Sequence, residues 1–335
     1  MTVNNNKEAM KMKKFWSAKV VSLLTVLLFL SAGLLGVAGQ VFAEPSGKLP
    51  VFIAGSLTVP FKAVAKEYNK LYPGVEVLME GGGSATTIRK VTELKRECGI
   101  IGSADYKIVP KLMFPDYADW YIIFASNQMV LCYTEKSKYA KEVNADNWYQ
   151  ILQKDGVTYG RSDPDQDPCG YRTLMVWQLA EKHYNVSGIH NKLYGAKGDT
   201  MRAKSVDLIA LLQSGDLDYA FEYDSVAKQH GLKYVPLPDR INLSSAEHEA
   251  FYAQAKVSIK GAKPGQMIDL IGEPILYAIT IPKNFPDQAK ALSWVEFLLS
   301  DKGVKAMEAT GQSAIRPAVA SDKSKLPEVL KKYVK

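Results

Sequence analysis

The sequence predicts an α/β protein of two lobes, and three observations predict it. Short apolar runs alternate with amphipathic segments of helical spacing, the pattern of strands in a parallel, helix-covered sheet. The 335 residues exceed what one core ordinarily holds. Their composition, 47% hydrophobic and 23% charged, excludes a disordered or fibrous chain.

The first 43 residues read as an export signal. Lys11 to Lys19 are basic, Val20 to Gly39 are almost wholly apolar, and Val41-Phe42-Ala43 places small residues where a signal peptidase cuts. A mature chain then starts near Glu44. The alternative is a retained membrane anchor, since about 20 apolar residues can span a bilayer. Either way the bulk of the chain lies outside the cytoplasm. The formal charge is +7, but five lysines against Glu8 alone fall within residues 1–43. The remaining 37 basic and 34 acidic residues form no block suited to nucleic acid, and none is expected as a partner. Cys98, Cys132 and Cys169 match no zinc or redox spacing. In an exported chain they allow one disulfide, with buried free thiols as the alternative.

The elements follow in order. Leu49 to Ala54 is an apolar strand, and Gly55-Ser56-Leu57-Thr58 turns into a helix over Pro60 to Leu71. Pro60 suits a first helical position and Val59 is too apolar to cap, so Ser56 or Thr58 supplies the cap. Val75 to Met79 is a strand, the flexible run Gly81-Gly82-Gly83 ends in Ser84-Ala85-Thr86, and a helix follows to about Glu97. Ile100 to Asp105 is a third strand and turn. A second unit opens near Tyr121, with apolar runs at Ile122–Phe124 and Met129–Tyr133. Helices fit Trp148–Gln153, Tyr171–Tyr184 and Ser205–Gln213, and Tyr219–Tyr223 is a strand. Residues 224–265 read as a helix with long surface loops. Ile275–Ile281 is one more strand, and helices at Asp287–Leu299 and Asp301–Thr310 finish the chain.

Several strand-to-helix turns carry small hydroxyl or glycine residues. Ser56 and Ser84 stand at helix mouths, and Asp167-Pro168-Cys169-Gly170 precedes the helix at Tyr171. Helix N-termini offer unpaired N–H groups and partial positive charge, so such turns meeting in a cleft would grip a small oxyanion. For either serine alone an ordinary N-cap is the alternative. The segment from Arg161 to Asp167 holds three carboxylates in five residues, without the EF-hand pattern. Glu222 ends an apolar strand on the face of Ala220, opposite Tyr219, Phe221 and Tyr223, with a solvated edge as the alternative. The four histidines lack metal-ligand spacing, and no G-x-S-x-G elbow or P-loop lysine is present. A Cys169–His230 nucleophile pair rests on no motif, so no catalysis is expected.

In order, A-G-S-L-T at 54–58, G-G-G-S-A at 81–85, G-S-A-D-Y at 102–106, S-D-P-D-x-D-P-C-G-Y-R at 162–172, F-E-Y-D-S-V-A-K-Q-H at 221–230 and P-I-L-Y-A-I-T-I-P at 274–282 resemble the periplasmic tungstate/molybdate-binding proteins, most closely the archaeal-type branch. The resemblance runs from about 50 to 320. It implies a type II periplasmic-binding-protein fold: a monomeric solute receptor for an ABC importer's permease, closing two lobes on the oxyanion, with no other cofactor. By the same resemblance Gly55, Ser56 and Ser84 face the ligand from the first lobe. Pro168 and the Cys169 N–H face it from the second, Tyr277 donates its hydroxyl, and Asp167 and Glu222 complete six oxygens around the metal. Ala278 stands where the family often has Gly. The first lobe is expected at 44–126 plus 279–335 and the second at 127–278. Carboxylates repel sulfate without return, whereas Mo(VI) and W(VI) can add hard oxygen ligands. The rivals are another oxyanion on the same fold (sulfate, phosphate or thiosulfate) and an exported Cys169 enzyme.

Overall fold

A computed structural model describes residues 44–335 apart from 262 and 264. The expected signal segment lies outside the described residues. Strands run in chain order as β1 Gly47–Ala54, β2 Val75–Gly82, β3 Ile100–Ser103, β4 Ile122–Asn127, β5 Met129–Tyr133, β6 Tyr159–Ser162 and β7 Asp199–Arg202. There follow β8 Tyr219–Tyr223, β9 Lys233–Pro236, β10 Lys256–Lys260, β11 Met267–Ile271, β12 Ile275–Thr280 and β13 Ser313–Ala320. The helices that matter to the site and its support are α1 Thr58–Leu71, α2 Ser84–Thr92, α3 Pro168–Tyr184, α4 Asp207–Ser214, α5 Gln288–Leu299 and α6 Asp301–Glu308.

The strands form two main sheets, one per lobe. The first has the order β13-β4-β12-β3-β1-β2 and the second β7-β6-β8-β5-β9, while β10 and β11 make a separate hairpin. Helices pack on both, as the α/β prediction requires. The sheets are mixed, however, not parallel throughout. β2, β1 and β3 are parallel, but β12 runs against both β3 and β4, and β13 runs against β4. The cause is the chain's route. β4 leaves for the second lobe and β12 returns from it, so neither is joined to its neighbour by a βα crossover. The whole of β12, Tyr277 included, belongs to the six-stranded sheet.

Packing follows the apolar spacing. Pro60, Phe61, Val64 and Tyr68 form the buried face of α1, and Phe61 and Tyr68 meet Trp294 of α5 edge-on at 6.1 and 5.1 Å. In the second lobe Phe221 lies between Trp148 and Trp177, at 5.6 and 5.7 Å between ring centres. That anchors one face of β8. The other face packs Ala220 with Leu208 and Leu212 of α4.

Six strands, β6, β7, β9, β10, β11 and β13, are absent from the sequence reading. β6 hides behind Gly160 and Arg161. A Cβ at Gly160 would stand 2.6 Å from Leu208, and Arg161 is buried because Asp199 pairs with it at 2.8 Å. β13 contains Pro317 and breaks register between Ala314 and Val319, which an edge strand tolerates. All three cysteines are free and buried, so the disulfide alternative fails. Among the described residues no helix is long and apolar enough to cross a membrane.

Candidate ligand-binding site

On the first lobe, β1 runs into a single 3-10 turn, Gly55–Leu57, before α1 begins. That turn moves the cap position to Leu57, which makes no side-chain bond. The capping role expected of Ser56 or Thr58 is therefore not taken. The Ser56 hydroxyl, buried, instead meets the Tyr277 hydroxyl at 3.1 Å. Ser84 does not cap its helix either. Gly83 is the cap residue of α2 and Ser84 the first residue inside it. The Ser84 Oγ accepts the Ala104 N–H at 3.0 Å.

On the second lobe the helix starts three residues earlier than expected. Asp167 is the N-cap of α3 and Pro168 its first residue, a pairing that fits proline's fixed φ. Asp167 Oδ1 accepts the Cys169 N–H at 3.2 Å, and Oδ2 accepts the Ser205 N–H at 2.8 Å. The Cys169 N–H, expected to face the ligand, is thus held by Asp167. Burial pushes the Asp167 carboxyl up to about 6, against the pull of those two N–H groups. The other acids of its segment fold away. Asp163 accepts from the Asp165 N–H and the Gln166 side chain, and Asp165 pairs with Lys260, so no calcium-like loop forms.

Glu222 has no exposed surface. The solvated-edge alternative fails because β8 is the central strand of its sheet. Its Oε2 accepts the Tyr223 N–H at 3.3 Å, and its Oε1 has no partner among the described residues. Burial first, and then the Asp167 charge, push its carboxyl up to about 8. A buried carboxylate oxygen without a partner is costly, so this atom needs an explanation. Cys169 offers none for an enzyme. Burial drives its thiol well above the ordinary range, its Sγ contacts the Phe221 carbonyl, and His230 is exposed.

Four contributors escaped the sequence reading. Arg172 reaches from α3 to the Ala104 carbonyl at 2.6 Å and the Tyr223 hydroxyl at 2.9 Å. Asn127, where β4 leaves the first sheet, donates to Tyr277 at 3.1 Å and to Ser225 at 2.8 Å. Ser205 supplies a backbone N–H, and the Ser162 hydroxyl is buried without a partner. Ser162 and Arg172 lie in the quoted 162–172 stretch but carry no role there, and Asn127 and Ser205 lie in no motif. The partners of Arg172, Asn127 and Ser205 are distant in the chain.

The cleft is shut. The Ala85 and Thr86 N–H groups at the mouth of α2 donate to the Gln166 carbonyl at 3.1 and 3.4 Å. Arg89 donates to the carbonyls of Asp165 and Lys260 at 2.8 and 2.7 Å. A Cβ at Gly83 would stand 2.2 Å from the Gln166 oxygen, and one at Gly55 would stand 2.9 Å from Val206. Both glycines allow backbone to meet the opposite lobe.

Two mixed-sheet lobes, crossed twice by the chain and shut over buried serines and carboxylates, are the architecture of a periplasmic binding protein. Residues 49–312 match the family described as bacterial extracellular solute-binding protein, and the chain belongs to that family. An uncharacterized solute-binding protein of Petrotoga mobilis is 47% identical, over 87% of this chain and 91% of its own. The molybdate/tungstate-binding protein WtpA of Pyrococcus abyssi is 40% identical, over 94% of this chain and 97% of its own. The periplasmic molybdate-binding protein of Azotobacter vinelandii shares the fold at 18% identity. Its TM-score is 0.58, over 79% of this chain and 98% of its own. The sulfate-binding protein SubI of Mycobacterium tuberculosis shares it at 14% identity. There the TM-score is 0.56, over 86% and 90%.

Proposed function

We propose that this protein captures molybdate or tungstate outside the cytoplasm and delivers it to the permease of an ABC importer. Ser56 and Ser84 donate to the oxyanion from the first lobe. Asp167 and Glu222 bring carboxylate oxygens to its metal from the second. The observation that carries the reading is the unpartnered Glu222 Oε1, buried on the lobe that also holds Asp167. A hard, expandable Mo(VI) or W(VI) centre can use such an atom, and sulfate cannot. The relative in Pyrococcus abyssi supports the choice of ligand by its name. Tyr277 acts beside Ser56, while the Cys169 N–H holds Asp167 in place. The two crossings, at Asn127–Gln128 and just ahead of Ile275, serve as the hinge.

X-ray absorption on the tungstate-loaded protein tests this. Six oxygen neighbours at the metal are expected. Four equivalent short oxygens, with Glu222→Gln binding as well as the parent, would return the site to an ordinary oxyanion receptor.

A further inference from the structure

We propose that Asn127 and Arg172 are positioning residues that reserve the hydroxyl protons of Ser56 and Ser84 for the ligand. The proposal rests on the reading that these serines face the oxyanion, and it concerns how they come to be donors.

A serine hydroxyl has one proton and two lone pairs, and nothing in its own chemistry decides which it shows a ligand. Here the protein decides by filling the acceptor side. For Ser84 the filling donor is the Ala104 N–H at 3.0 Å, and the hydroxyl donates no hydrogen bond among the described residues. Ala104 is held from both lobes. Within the first, the Ser103 hydroxyl bonds the Asp105 carbonyl at 2.6 Å and accepts the Asp105 N–H at 3.1 Å, which fixes the turn. From the second, Arg172 donates to the Ala104 carbonyl at 2.6 Å. Arg172 is buried, its other contacts being the Tyr223 hydroxyl at 2.9 Å and the Asp105 carboxylate at 3.8 Å. The pin on Ala104 is therefore set from the opposite lobe and holds in this shut arrangement.

For Ser56 the chain of donors starts at Asn127. Its Oδ1 accepts the Gln128 and Ser225 N–H groups at 3.0 and 3.3 Å, which fixes the orientation of the amide. Its Nδ2 must then donate, and it does so to the Tyr277 oxygen at 3.1 Å. The Tyr277 and Ser56 oxygens lie 3.1 Å apart and either could donate. Since Tyr277 already accepts from Asn127, we assign it the donor role. Ser56 accepts, and its own proton is left over. Asn127 closes β4 where the chain crosses to β5, so the proton direction at Ser56 is set from the hinge. Hydrogen bonds in such a series also strengthen one another.

Double-mutant cycles with tungstate as probe, read by calorimetry, test this. Asn127→Asp keeps the acceptor oxygens and removes the Nδ2 donor. Alone it should weaken binding about tenfold, the usual effect of one misdirected bond to a charged group. In the Ser56→Ala background it should weaken binding no further, because the proton it directs is gone. Arg172→Gln should behave likewise against Ser84→Ala, with Arg172→Lys substituted if the glutamine variant does not fold by circular dichroism. A merely structural role would weaken binding equally in both backgrounds, and that additivity would overturn the proposal. Serine variants that bind tungstate as the parent does would instead overturn the reading of the site, and the present proposal with it.

Discussion

The two lobes bring the same local geometry to the cleft, a strand running through a turn into a helix, and do opposite things with it. At α2 the cap residue is Gly83, with no side chain to satisfy the helix N-terminus. Its N–H groups are free to bridge the cleft, and Gln166 takes two of them. At α3 the cap residue is Asp167, whose carboxylate meets the Cys169 N–H of its own helix and the Ser205 N–H. One turn shows neutral donors, and the other shows a charge already steadied by peptide groups. The lesson is that a helix N-terminus does not become an anion site by position alone. Whether its own cap satisfies it decides what it offers.

The sharpest way to break this comparison is to neutralise the charged side. Asp167→Asn with Glu222→Gln should reduce tungstate affinity by on the order of 3–6 kcal/mol, two charged contacts at about 1.5–3 each. Sulfate affinity should hold or rise, since a repulsion is removed. Equilibrium dialysis with both anions checks it, and equal losses for the two would end the claim that the carboxylates discriminate.

Gly83→Ala attacks the seam. Its φ of −64° suits alanine, so the first lobe should fold unchanged. The added methyl, however, has no room beside the Gln166 oxygen. Closure should cost about 1–3 kcal/mol more, the usual penalty of overpacking. Small-angle scattering should then show a larger radius in the presence of tungstate. An unchanged radius and affinity would mean the lobes shut by another path.

Removing one neutral donor is a milder change. Ser56→Ala and Ser84→Ala should each weaken tungstate binding by about 1–3 kcal/mol with the fold intact, measured by calorimetry. Both variants binding as the parent does would place the ligand elsewhere.

The lobes also differ in how they answer to pH. Both carboxyls of the second lobe hold protons more tightly when folded, Asp167 up to about 6 and Glu222 up to about 8, burial being the first cause for each. The folded chain then binds more protons than the unfolded one, so stability falls as pH rises. For Glu222 the fall spans the interval from its ordinary 4.5 to about 8 and levels off beyond. The ligand-free protein should melt a few degrees lower at pH 8 than at pH 5, and Glu222→Gln should flatten the profile. A melting temperature that rises over that range would contradict the burial of Glu222. The smallest effect belongs to Cys169→Ala. Its thiol packs in the core and its amide is kept, so tungstate affinity should stay within about 0.5 kcal/mol of the parent. Loss of binding in that variant would bring the thiol back into the site.

The turns of the candidate site are legible in sequence because they carry their residues locally. Ser56, Ser84, Asp167 and Glu222 were identified by position after strands and by resemblance, and each is buried. What they bond could not be read. Ser56 and Ser84 resemble caps in sequence, and only the 3-10 turn and Gly83 show otherwise. The environment of Glu222 depended on whether β8 lies at an edge or at the centre. That is settled by β6 and β5, and the four residues of β6 contain a glycine and an arginine that hide it. Arg172 was visible only as part of a motif, since its partner Ala104 lies 68 positions away.

The contact at Gly83 bears finally on time. Where peptide groups of two lobes touch with no side chain between them, nothing small can slip out along that line while the lobes stay shut. Under the proposed function, escape of a captured ion then requires the lobes to open, and tight binding and slow release become one property. Whatever receives the ion must pry the lobes apart, parting the bonds to Gln166 before it breaks any bond to the cargo.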